Sequence, residues 1–173
     1  MTSARDYHAD EKLRDGTPVA LRAVRPDDRP RLVEAFNKLG AETLYTRFFS
    51  SKHSITDADL SQGIDVDFVR NVTLVVTLGP GETIIGAGRY IGIGDGPEAE
   101  VAFTVEEDFH GQGIATLLLD HLVRIGRTSG FARFSAEVLA GNRSMLRVFE
   151  RSGLPMTKSR DEDVVHVTLS LGD

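Results

Sequence analysis

Residues 99 to 139 read as strand, glycine loop, helix, strand, and this unit limits the folds open to the chain more than any other stretch. "AEVAFTV" at 99–105 alternates Val101, Phe103 and Val105 with Glu100, Ala102 and Thr104, the period of a strand with two unlike faces. From Ile114 the apolar residues fall at 114, 117, 118, 122 and 125, the spacing of one helical face, so a helix is expected over 113–129. "RFSAEVL" at 133–139 alternates again. Two strands joined through a helix within one sheet lie parallel, by a right-handed crossover.

Upstream of that unit the rhythm differs. "NVTLVVTL" at 71–78, "TIIGAGRYIGI" at 83–93 and "AEVAFTV" are joined by the short turns "GPGE" and "GDGPE", which predicts an antiparallel meander. "EKLRDGTPVALRAV" adds a hairpin turning at Asp15-Gly16. Leu32, Val33, Phe36 and Leu39 predict a helix capped by Asp27 or Asp28 and ending before Gly40, with shorter helices over 42–48 and 56–64. A helix over 143–152 and a strand over 163–171 follow the central unit. The organisation expected is a loose polar tail over 1–12 and a single domain over 13–173, with an α/β (α+β) fold.

A glycine loop ahead of a helix has a use beyond its turn. The first turn of any helix has unpaired N–H groups and the positive end of the macrodipole, so bare backbone at "HGQGIA" (110–115) lets an anion, phosphate above all, approach those amides. Gly111 and Gly113 serve equally as suppliers of unusual backbone angles in a tight turn, and the loop alone leaves both uses open. A phosphate loop ending in Lys-Ser/Thr does not fit, because Gly113 is followed by Ile114 and Ala115. A dinucleotide fingerprint needs an early strand and an acidic residue about 20 positions on, whereas this loop follows a meander.

The chain has no cysteine, which excludes disulfides, thiolate zinc sites and a cysteine nucleophile and suits a reducing compartment. No apolar run nears the roughly 18 residues of a membrane span, and "MTSARDYHADEK" lacks a signal-peptide core, so a cytoplasmic location with no membrane partner is expected. The net charge of −6, from 20 Lys and Arg against 26 Asp and Glu, argues against a nucleic-acid partner and favours a cationic one. His8, His53, His110, His121 and His166 have no spacing that gathers a metal, and no metal is expected; His121 is read as surface or packing.

"HGQGIA", followed by "TLLLDHL" and then by "NRSMLRVFERSGL" at 142–154, resembles the GNAT family of N-acetyltransferases, whose core motif runs Gln/Arg-x-x-Gly-x-Gly/Ala. The resemblance takes in residues 17–171 and keeps the family's order: the strand at 99–105, the glycine loop, the strand at 133–139, and the Asn142 helix ending at Gly153. Two positions depart from it. His110 stands at the Gln/Arg place, and Phe149 stands where many members have a tyrosine general acid, which leaves that role without a carrier. "LYTRFF" at 44–49, "AEVAF" at 99–103 and "VLAGNRSMLRVFERSGL" at 138–154 are similar to the bacterial Pat-type protein lysine acetyltransferases.

This resemblance implies a GNAT fold: a mixed, mostly antiparallel sheet with a parallel strand pair splayed around the cofactor and helices on both faces. It implies acetyl-CoA as donor, with the pyrophosphate held by the loop and helix start at His110, Gly111, Gln112, Gly113, Ile114, Ala115 and Thr116. The pantetheine arm is then expected beside Phe103, Thr104, Val105, Asn142, Met145 and Phe149, with a backbone N–H near Thr104 or Val105 polarising the thioester carbonyl. Asn142 reads equally as an ordinary N-cap.

An acceptor lysine with a pKa of about 10.4 is neutral in about one part in a few thousand at pH 7, a handicap of roughly 4.6 kcal/mol, so a base is needed. Glu100 is the first candidate, its pKa raised by burial from about 4.3 towards 6 or 7; a solvated strand carboxylate is the competing reading. Glu137 is the second candidate, against a sheet-pairing role. The resemblance implies transfer to lysines of proteins such as acyl-CoA synthetases. A small-amine acceptor and a non-catalytic acyl-CoA sensor stand as alternatives, and oligomeric state is not legible.

Overall fold

The computed structural model describes residues 6–37, 67–105 and 113–172. Strands β1 (His8–Lys12) and β2 (Pro18–Ala23) form a hairpin in which the Asp15 carboxylate accepts the Thr17 N–H at 2.9 Å. A 3-10 turn (Pro26–Asp28) leads into α1 (Arg29–Asn37). Then come β3 (Asn71–Leu78), β4 (Thr83–Gly92) and β5 (Glu98–Val105) as a meander. They are followed by α2 (Ile114–Thr128), β6 (Arg133–Leu139), α3 (Arg143–Glu150), β7 (Met156–Asp161) and β8 (Val164–Ser170).

The strands make one 8-stranded sheet in the order β1-β2-β3-β4-β5-β6-β8-β7. Among the described residues only β5 and β6 pair parallel, with α2 between them in the chain; every other neighbouring pair is antiparallel. This is the mixed, mostly antiparallel sheet with one parallel pair and helices on both faces that the resemblance implied.

Register decides which residues share a face. Leu21, Val76 and Gly86 lie side by side across β2, β3 and β4, and a Cβ added at Gly86 would stand 2.6 Å from Ile114 Cγ2, so α2 covers this face. Gly88 admits Phe103 and Leu118 on the same side, and Gly126 of α2 admits the Phe134 ring. The glycines in β4 thus let the helix approach the sheet closely. Leu118, Leu119, Leu122 and Phe134 are buried there, each such side chain contributing about 1.5–3 kcal/mol.

Arg22 points to the opposite face, where its guanidinium grips both carboxylate oxygens of Asp28 at 2.8 Å and ties the start of α1 to the sheet. Asp28 is fully buried and also accepts the Arg25 N–H at 2.7 Å. Burial alone pushes its carboxyl up, but the Arg22 guanidinium and the Arg25 amide outweigh that and hold it below the usual carboxylate range. With helices on both sides, β3 is buried along nearly its whole length, which explains its near-continuous apolar run.

Two elements depart from expectation. β1 takes up residues 8–12 of the stretch read as a loose tail, paired from His8↔Arg22 to Lys12↔Pro18. β7 was not foreseen: "MTKSRD" has a single apolar residue and lies exposed at the sheet edge. The helices expected over 42–48 and 56–64 lie outside the described residues. No helix among the described residues is long and apolar enough to cross a membrane.

Candidate active site

The parallel strand pair is short. β5 and β6 pair at Glu98↔Arg133, Ala99↔Phe134 and Glu100↔Ser135, then separate, although β5 runs on to Val105 and β6 to Leu139. Two backbone bonds fix what lines the opening. Gly92 N–H bonds Arg70 C=O at 2.9 Å, and Ile93 N–H bonds Glu98 C=O at 2.8 Å. The antiparallel alternation then gives the N–H and C=O of residues 98, 100, 102 and 104 to β4, and turns those of 99, 101, 103 and 105 towards β6. Beyond the last parallel pair, the amides of Phe103 and Val105 face the gap. Of the two amides expected to polarise a carbonyl, that of Val105 faces the gap, while that of Thr104, paired with Ala87, is engaged by β4.

Gly113 is the N-cap of α2, with φ +88°, a backbone setting that favours glycine. It supplies no side-chain cap, and the first intrahelical bond runs from Leu117 N–H to Gly113 C=O at 3.0 Å. The amides of Ile114, Ala115 and Thr116 therefore precede the helix's own ladder, and no acidic residue stands in the first turn. Ile114 is buried and Ala115 and Thr116 half-buried, so it is backbone that this turn presents. A Cβ at Gly113 would meet Arg14, from the β1–β2 turn, at 3.3 Å. His110, Gly111 and Gln112 lie outside the described residues.

On α3, Asn142 is an N-cap, its Oδ1 accepting the Met145 N–H at 3.3 Å. Met145 is half-buried against the core. Phe149 is buried with its ring 6.1 Å from that of Phe103, so these two aromatics form an apolar wall, and position 149 itself offers no phenol. Asn142, Phe149 and the opening of β5 are thus brought to one region, on the face that α2 and α3 share.

Glu100 points the other way, to the face of α1, and ends the paired part of β5. It is exposed, so the burial expected of it is not present. Glu137 is also exposed and sits beside His166, 3.6 Å from Nδ1 to Oε1. Both carboxylates share one strand face, with Ser135 between them in register.

Sequence reasoning missed one cluster. His121 of α2 is buried, with Nδ1 2.5 Å from the Tyr7 hydroxyl and Nε2 2.6 Å from Glu11 Oε2. Burial, chiefly, pushes the Tyr7 phenol up. Residues 7 and 11 fell in the stretch read as a tail, which hid the partners. No group of residues that could hold a metal occurs among the described residues.

A strand pair opened beside a helix whose first amides lie outside its own ladder is the framework of an acyl-CoA-dependent transferase. Residues 19–155 match the Acetyltransferase (GNAT) domain, and the chain belongs to the GNAT acetyltransferase family, with acetyl-CoA as donor. It is 34% identical over 143 residues to the acetyltransferase Pat of Mycolicibacterium smegmatis, 82% of this chain but 43% of Pat, so it spans less than half of that relative. An acetyltransferase of Pseudomonas aeruginosa is 29% identical over 140 residues, 80% of this chain and 75% of that protein. Among solved structures, the GNAT domain of S. lividans PAT has a TM-score of 0.88 at 35% identity, covering 94% of this chain and 96% of that one.

Proposed function

We propose that the chain transfers the acetyl group of acetyl-CoA directly to lysine side chains of proteins, with Glu100 as the base and acyl-CoA synthetases as the first acceptors to try. One observation carries this reading: beside the opening of β5 and β6, the strand face away from α2 displays Glu100 and Glu137, both exposed, where a cationic side chain can approach. The likeness to Pat proteins supports a protein acceptor.

The chemistry follows from the placement. The lysine nitrogen attacks the thioester carbon, and the N–H groups of Phe103 and Val105 stabilise the charge that develops on oxygen. Glu100, directly or through a water, takes the proton that the nitrogen must lose. As the C–S bond breaks, the thiolate of CoA takes its proton from solvent, because Phe149 has none to give. Asn142 and the Phe103–Phe149 wall orient the pantetheine arm.

Labelled acetyl-CoA added to a bacterial lysate with this protein should mark discrete protein bands, and Glu100→Gln should abolish them. Robust turnover of small amines without protein labelling would refute the protein acceptor. Tight acetyl-CoA binding with no turnover of either would indicate a sensor.

A further inference from the structure

Arginines on other elements are engaged. Arg22, Arg25 and Arg31 hold carboxylates, Arg133 holds Glu98, and Arg70 and Arg160 hold backbone carbonyls. Arg143, Arg147 and Arg151, on α3 and its C-cap, are exposed and have no partner among the described residues. Spaced four residues apart, they form one ridge with steps of about 6 Å along the helix axis. Two like-charged i,i+4 steps weaken a helix, and the dipole disfavours a cation at its first residue, Arg143, where no acidic residue stands in the turn to offset it. Glu150, the acid of this helix, is taken by Lys158 of β7 at 3.0 Å.

The opposite sign is left over close by. The turn between β7 and β8 runs Asp161-Glu162-Asp163, all exposed, and no described residue pairs with these carboxylates. Glu162 has φ +54°, a setting that favours glycine, so a charge stands where the turn by itself selects none. This turn adjoins the start of α3, since Ala140 N–H bonds Asp163 C=O at 2.7 Å three residues before Arg143. Three unpaired carboxylates thus border three unpaired guanidinium groups without bonding them.

We propose that this surface docks a second copy of the chain about a two-fold axis, the Asp161–Asp163 turn of each copy lying on the Arg143–Arg151 ridge of the other. Turn and ridge lie side by side with opposite charge, so the patch is self-complementary, as a two-fold interface requires. A second copy fits better than a nucleic acid, which the acidic turn and the net charge of −6 repel. Exposed ion pairs are individually weak, so the dimer is concentration-dependent and salt-sensitive.

Sedimentation equilibrium of the full chain over a range of concentrations tests it. The wild type should dimerise in low salt and return to single chains as salt is added. Arg147→Gln, whose contact is lost twice per dimer, should weaken it about tenfold. Arg147→Glu with Arg151→Glu should give single chains, and so should Asp161→Arg with Asp163→Arg, each with an unchanged melting curve. Mixed in equal amounts, these two double variants should recover the dimer, because each turn then meets a ridge of opposite charge. A wild type that stays single up to about 1 mM in low salt would overturn the proposal, as would a dimer that both reversals leave intact or a mixture that stays single. A wild type that stays single, together with weaker acetyl-CoA binding in Arg147→Glu with Arg151→Glu, would assign the ridge to the donor instead.

Discussion

Between β4 and β5 the pairing runs unbroken from Gly86↔Val105 to Gly92↔Ala99; between β5 and β6 it covers Glu98 to Glu100 and stops. One strand thus has a structural edge and a ligand edge. β5 is held by β4 and by α2 through Gly88 and Phe103, so its other edge can leave backbone groups unpaired by the sheet. An amide left unpaired there costs stability unless something else bonds it, the part proposed above for acyl-CoA. Changes on the continuous side should therefore act on folding, and changes along the opening should act on binding or turnover in a chain that stays folded.

The largest effect on folding is expected at the Arg22–Asp28 pair, on the continuous side. Asp28→Ala removes the bidentate partner of the buried Arg22, leaving it a single carboxylate contact, Glu82 at 3.2 Å, and should cost about 3 kcal/mol, read from urea unfolding. The pH dependence has a definite sign. A carboxyl held low in the folded state contributes stability above the unfolded value of about 3.9 and loses it as pH falls through the folded value. The wild type should lose stability in acid below about pH 4, and Asp28→Asn should lose less over the same range.

On the opened side, Glu100→Gln should lower turnover about 10²–10⁴-fold while acetyl-CoA affinity and the melting temperature hold. If turnover survives, Glu137 becomes the base to test, and a coincident loss of stability would blur the division between the two edges.

The same division governs how far the sequence could be read. β3, β4 and α2 are packed by the core, and their apolar periods locate them to within a residue or two, with β3 met at both ends. β7 was missed because an exposed edge strand needs no apolar alternation; its ladder with β8, from Met156↔Leu169 to Asp161↔Val164, makes it a strand. β1 was read as a tail for the same reason. At the site, the glycine cap of α2 and the cap at Asn142 were legible, since each is a local backbone need. The amides that face the gap follow from register between strands far apart in sequence, which is why Thr104 stood beside Val105 as a candidate. Arg14 at Gly113 and His121 between Tyr7 and Glu11 join residues about a hundred positions apart and have no local signature.

Smaller effects sharpen the comparison. Gly113→Asp combines an unfavourable positive φ, displacement of Arg14 and a carboxylate beside the amides expected to hold the pyrophosphate, and should weaken acetyl-CoA binding about tenfold or more by calorimetry with the fold retained. Asn142→Ala removes an N-cap and should cost about 1 kcal/mol of stability in thermal unfolding. Any larger loss of acetyl-CoA affinity than of stability would show that Asn142 serves the donor as well as the helix.

The opened strand pair as the donor site is tested most directly by residue-resolved amide hydrogen exchange on β5, with and without acetyl-CoA. The amides of Ala102 and Thr104, bonded to β4, should be protected in both states. Those of Phe103 and Val105 should exchange rapidly in the free protein and become protected when acetyl-CoA binds, giving an alternating pattern along one strand. Saturating acetyl-CoA with no change at Phe103 and Val105, or protection that falls equally on all four amides, would contradict the account.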